Sequence, residues 1–177
     1  MIDRIKQFSP HIIAGFASLV FLDSLRFKFT NAPETQVIFG KLNDWAATLG
    51  ADGLFAQTGL FSQYVIGSAE LIAATLLIVG IHPALRRLQA VGALVAFSVM
   101  TGAVSFHLFT PLGIDPNNDG VGLFAAATVI WFTSIALFMI RRKELSAIGS
   151  GMVSVLFTER VTLPRLVSTT PAETLGA

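Results

Sequence analysis

Four apolar runs, each close to the roughly 20 residues a helix needs to cross a bilayer, constrain this chain more than any other feature. They fall at residues 10–29, 60–81, 88–110 and 121–140. The chain has 177 residues, 53% of them hydrophobic and 13% charged, which is too apolar for an ordinary soluble domain of that length. The expected fold is therefore an all-α integral membrane protein with a bundle of four transmembrane helices. The first run resembles the core of a signal peptide, but bulky Leu25, Arg26 and Phe27 stand where a cleavage site needs small residues. It is read as a helix that stays in the membrane.

The basic residues set an expected orientation. Arg4 with Lys6, Arg86 with Arg87, and Arg141 to Lys143 fall on one side of a chain with four spans, and the positive-inside rule makes that side cytoplasmic. The loop after the third run carries Asp115 and Asp119 and no Lys or Arg. Both termini are then cytoplasmic, in a bacterial inner membrane. Between the first two spans, residues 33–49 place Ile38, Leu42, Trp45 and Leu49 at helical spacing, with Asn31 as N-cap and Pro33 in the first turn. This is an amphipathic helix on the outer side, read either as lying in the interface plane or as a lid over a pocket between the helices. Residues 144–177, rich in Ser, Thr, Gly and Pro, are expected to form a loosely ordered cytoplasmic tail.

Ionisable side chains inside the apolar runs mark the candidate site. Asp23 lies 13 residues beyond Pro10, a rise of roughly 20 Å, and Arg26 and Lys28 follow it. Glu70 is nine residues beyond Phe61, about 14 Å from the outer face, and His107 lies near the outer end of the third run. Ionisable groups at such depth cost about 2.5–3.5 kcal/mol each on insertion scales, so they should face the bundle interior and find partners there. Asp23 and Arg26, three apart, can pair on one helix face. Glu70 has Arg26, Lys28 or His107 to choose from; an unpaired carboxyl at that depth holds its proton. The group serves either to tie helices together or to bind a ligand and relay protons, and small Gly67, Ala74, Ser98, Gly102 and Ala126 are available for close helix packing.

Ligand classes are bounded in the same way. A net charge of +1 without long basic runs gives no footprint for nucleic acid, and zero cysteines exclude thiolate metal sites. His11 and His82 belong to the opposite end from His107, so they cannot join it as axial ligands of a haem. The stretch from Asp115 to Gly120 matches the first half of a calcium loop, but the position that needs a bidentate Glu is Ala126, and a turn explains it better. No metal and no catalytic residue is assigned. A quinone or lipid-like ligand fits, with aromatic walls from Phe97, Phe106, Phe109, Trp131 and Phe132 and a polar contact at Glu70 or His107.

Three stretches, FLDSLRFKFTNAPETQVIFGKLNDW, YVIGSAELIAATLLIVG and GALVAFSVMTGAVSFHLFTPLGI, resemble the DoxX-like family of small bacterial membrane proteins. The resemblance covers roughly residues 12–140. Lys28 looks like the family's lysine at the end of the first helix and Glu70 like its glutamate in the second, whereas Asp23 and Arg26 stand where apolar or small residues are common. Members are described as a quinone-linked small subunit of a thiosulfate-oxidising enzyme and as membrane partners of redox-detoxification proteins. The resemblance implies an accessory, non-catalytic subunit of a membrane redox complex, in contact with lipid and with other membrane subunits. The competing expectations are a structural or assembly subunit and, with less machinery for alternating access, a small-solute or proton transporter.

Overall fold

The computed structural model describes residues 2–118 and 120–157, and every regular element among them is helical. In chain order these are α1 (Ile2–Phe29), α2 (Pro33–Thr48), α3 (Gln63–Val79), α4 (Arg86–Phe109), α5 (Gly122–Ile140) and α6 (Arg142–Phe157), with a single 3₁₀ turn at Pro83–Leu85. α3 packs against both α1 and α4, α4 against α5, and α5 returns to touch α1. Four helices thus share one core.

That core is built from small side chains. Ala14 and Ala17 of α1, Ala73 and Ala74 of α3, Ala93 and Ala96 of α4 and Ala127 of α5 are buried, with Phe21, Leu77, Ile130 and Leu137 filling between them. Larger apolar residues point outward, among them Ile12, Leu19, Ile72, Val129 and Phe132. Small inside and large outside suits a lipid surround, where helices gain from close van der Waals contact and the exterior meets hydrocarbon. Gly92 shows how close the approach is: a Cβ there would lie 2.9 Å from the backbone nitrogen of Leu77. Ser18 Oγ donates to the Ala74 carbonyl at 3.2 Å, a further tie between α1 and α3.

Among the described residues three helices are long and apolar enough to cross a membrane, namely Phe8–Phe29, Pro83–Phe109 and Gly122–Ile140, and this is a membrane protein on that ground. α3 is apolar but shorter, at 17 residues or about 25 Å against the ~30 Å hydrocarbon core. The apolar run at 60–81 is longer than its helix because Ser62 caps the start, accepting from the Val65 N–H at 3.3 Å, and Gly80 ends it.

A second, smaller core caps one end. Leu42 and Ala46 of α2, Phe55 of the following segment and Leu112 of the α4–α5 loop are buried together, with Phe106 of α4 packed against them. Lys41 Nζ donates to the Pro116 carbonyl at 2.6 Å and fastens α2 to that loop.

Several local expectations need correction. The first helix begins at Ile2 and carries Pro10 inside it. Asn31 is not an N-cap: it turns the chain between α1 and α2 in the left-handed region, at φ 57°, and Ala32 precedes Pro33 at the start of α2. Leu49 lies just past the end of α2 and is 66% exposed, so the buried stripe stops at Ala46. Ser98 is exposed rather than at a helix interface. Residues 144–157 are not loose: Leu145, Ile148 and Met152 recur at helical spacing, and α6 packs on α4 and α5. The expectation for 158–177 lies outside the described residues.

Candidate functional site

Where the alanine core meets the cap, a cavity of about 440 Å³ opens between α1, α2, α3, α4 and α5. Its wall is mostly apolar, and Lys28, Glu70 and His107 supply polar atoms from three different helices.

Glu70 and Lys28 are its centre. Helical burial carries Glu70 into the bundle on the face that also holds Ala73 and Ala74, leaving its side chain 4% exposed. Lys28, in the last turn of α1 with a side chain 15% exposed, brings Nζ to 3.0 Å from Glu70 Oε2. Of the three expected partners for Glu70, Lys28 is the one that pairs with it. The approach is off the hydrogen-bond direction, so Oε2 is paired in charge yet accepts no hydrogen bond. Lys28 Nζ donates instead to Ser24 Oγ, one turn back on the same face.

The backbone around Lys28 is held by amides. Gln63, buried at the start of α3, donates from Nε2 to the Lys28 carbonyl and to Asn31 Oδ1, both at 2.8 Å. Asn31 Oδ1 also accepts from Gln57 at 3.1 Å and from Gln36. One left-handed asparagine thereby gathers the end of α1, α2 and the start of α3, and fixes where the lysine emerges. Gly67 leaves room for it, since a Cβ there would touch Lys28 and Phe29 at 3.4–3.5 Å.

His107 is buried near the end of α4, with its ring edge-on to Phe124 at 5.5 Å between centroids. Its Nδ1 lies 2.6 Å from the Gly113 carbonyl. A carbonyl only accepts, so Nδ1 carries the proton of this bond.

Asp23 and Arg26 form the expected pair, at 2.9 Å, but both side chains are about two-thirds exposed. Asp23 stands at the cavity's edge, and Arg26 turns outward over the Phe27 ring, 4.4 Å from its centroid. The expectation that Arg26 faces the bundle interior is therefore wrong; its long side chain reaches away from the buried face.

The aromatic wall also differs from the expected one. Phe106 lines the cavity, joined by Phe21, Phe27, Phe39 and Phe55. Phe109 and Phe132 are 80% and 60% exposed, and Phe97 stacks on Trp131 instead, 6.0 Å between centroids. Helix rotation sends these four away from the pocket. Glu34, Thr35, Ile38 and Leu42 put α2 over one end of it, and Asn117 closes it from the loop, its Oδ1 buried without a partner. Asp115 Oδ1 accepts from the Gly120 N–H at 3.1 Å, the closed turn expected there; Asp119 lies outside the described residues.

A second polar group, not expected as such, sits at the opposite end. Arg141, just past α5, is buried and donates from Nε to Gln89 Oε1 at 2.8 Å, with Glu144 at 3.5 Å. Burial pulls the Arg141 guanidinium below its usual range, and the Glu144 carboxylate pulls the other way. His11 and Arg86 lie within electrostatic reach, so the three basic positions share one end of the fold. A lone Gln at the head of the third apolar run was the available signal.

Fold and site together define a helical membrane protein with a largely apolar pocket at one end. Comparison with protein-family models, with curated proteins and with solved structures finds no match for the chain.

Proposed function

We propose that this chain is an accessory subunit of a membrane redox complex and that its cavity holds a quinone or lipid-like ligand. One observation carries the reading: Lys28, Glu70 and His107, from three helices, meet in a single cavity of about 440 Å³ with a largely apolar, aromatic wall. That volume falls within the 300–1,000 Å³ usual for small-molecule sites, and a few polar groups on an apolar wall suit an amphiphile with a polar head. The DoxX-like resemblance supports the same reading, since Lys28 and Glu70 are the residues that carry it and they form the buried pair. In this proposal α3 crosses the membrane with its flanking residues, giving four spans. Both termini are cytoplasmic, the capped end faces outward, and the membrane is a bacterial inner membrane.

The test is purification in mild detergent followed by solvent extraction. A quinone that co-purifies with the wild-type chain and is lost from Glu70→Gln supports the reading. Unchanged ligand content in that variant overturns the assignment of Glu70.

A structural or assembly role is the second reading. It is favoured by the Lys28–Glu70 pair and the Arg141–Gln89 bond, each of which joins two elements of the bundle. Loss of complex assembly in Glu70→Gln with ligand content unchanged would support that role.

A further inference from the structure

At the end of the bundle opposite the cavity, where α4 begins and α5 passes into α6, positive charge is in surplus. Arg86, Arg87, Arg141, Arg142 and Lys143 stand there against one described carboxylate, Glu144. Arg141 is the buried member, and it places two of its five N–H donors, on Gln89 Oε1 and Glu144 Oε1. Gln89 is itself fully buried and, having turned its oxygen to Arg141, holds Nε2 of the same amide without an acceptor. His11 Nδ1, also buried and unpartnered, donates or accepts according to its tautomer. The other four cations are exposed, and none has an ion pair among the described residues. α4 adds to the surplus. Its first turn carries two arginines and no acid, and no side chain caps it, so like charge meets the positive end of the helix dipole.

We propose that this end of the bundle binds the phosphate of an anionic phospholipid, held between Arg86 and Arg141 where α4 and α6 start. The site is independent of what the cavity holds. Unpaired cations and a buried donor call for a partner that accepts hydrogen bonds and carries negative charge, and phosphate oxygens do both. Burial lowers the Arg141 guanidinium from its usual range, Glu144 opposes that shift, and the charge of Arg86 adds to it. An anion between the two arginines turns their repulsion into shared attraction. The surface beside them favours a lipid over a free ion. Met139 and Ile140 precede Arg141, Leu85 precedes Arg86, and all three are exposed. Acyl chains lying along them carry a headgroup to the level of the arginines, and basic pockets of this kind between membrane helices take anionic headgroups.

The experiment places the full chain in nanodiscs of phosphatidylglycerol and phosphatidylcholine in equal parts, transfers it to mild detergent and counts the retained lipid by native mass spectrometry. Phosphatidylglycerol should be retained in preference. Arg86→Gln with Arg142→Gln, at two exposed positions without ion pairs, should lower that preference by about fivefold per cation removed. Thermal unfolding separates binding from packing. Arg86→Gln should be at least as stable as wild type in phosphatidylcholine alone, because it takes a cation from a helix N-terminus, and less stable than wild type in phosphatidylglycerol. Equal retention of the two lipids, or a preference unchanged in the double variant, overturns the proposal. So does an equal loss of stability in both bilayers, which would make Arg86 a packing residue. Inorganic phosphate that stabilises the wild type in phosphatidylcholine as much as phosphatidylglycerol does overturns the lipid and assigns the site to a free anion.

Discussion

Replacing Lys28 by Met tests whether the buried pair is coupled as its geometry requires. Opposite charges 3.0 Å apart attract by about 5–6 kcal/mol at an effective dielectric of ~20, but removing both from water offsets much of that. What remains is asymmetric. Lys28→Met leaves the Glu70 carboxylate, 4% exposed, with no countercharge, and breaking a buried pair from one side costs about 3–5 kcal/mol. Glu70→Leu strands Lys28, whose side chain is 15% exposed and has a flexible stem able to swing its ammonium toward the interface, so this loss belongs near ~3 kcal/mol. The double variant removes both charges and supplies apolar side chains of similar volume. Its stability should return to within about 1 kcal/mol of wild type or exceed it. The measurement is a double-mutant cycle on reversible unfolding in mixed micelles, with helicity followed by circular dichroism. Single losses that simply add in the double variant would refute the coupling, and with it the claim that Lys28 rather than Arg26 or His107 is the partner of Glu70.

Gly92→Ala should destabilise by about 1–3 kcal/mol, because the new methyl meets the Leu77 backbone at 2.9 Å where α3 cannot yield. Gly15→Ala, in the middle of α1 with open space around it, should instead stabilise by about 0.5–1 kcal/mol; thermal unfolding of both variants measures the pair. The natural chain has no cysteine, so single cysteines report topology cleanly. Asp52→Cys and Asn118→Cys, both exposed, should react with an impermeant thiol reagent from the same side of sealed vesicles. Labelling from opposite sides would mean that α3 does not cross.

Much of this fold was legible because periodicity and length are local properties of a sequence. The apolar runs led to α1, α3, α4 and α5, and Pro33 marked the start of α2, although Asn31 was read as its N-cap. Glu70 and His107 were findable because ionisable groups inside apolar runs stand out against their surroundings. Rotation about a helix axis is what the sequence hides. Phe97, Phe109, Trp131 and Phe132 are as aromatic as Phe21 and Phe55, yet only the way the helices face each other decides which ones meet the pocket. Arg26 and Lys28 differ by two positions, close to 200° around α1, and that angle alone separates an outward cation from a buried one. α6 was hidden by Gly149, Gly151 and its serines, whose weak helix propensity is overridden by packing on α4 and α5.

The cavity and the tight core have a common origin. Along α3, α4 and α5 many inward-facing positions are small, from Ala73, Ala74, Ala93 and Ala96 at mid-depth to Gly102, Ala103, Ala126 and Ala127 beside the cavity. At mid-depth, small residues let the helices close on one another, as Gly92 against Leu77 records. Toward the capped end the same small residues face α2, Phe55 and the α4–α5 loop, which rest on the bundle through their own core of Leu42, Ala46 and Leu112 and do not descend into it. Space is left between two cores that are each packed. A void of this kind with wholly apolar walls would have the character of a packing defect. Its inner wall instead carries Glu70, an acid placed by its helix register where burial is expensive and held there by Lys28. An apolar residue at position 70 would ease that desolvation, so the pair is the feature on which the proposed site stands.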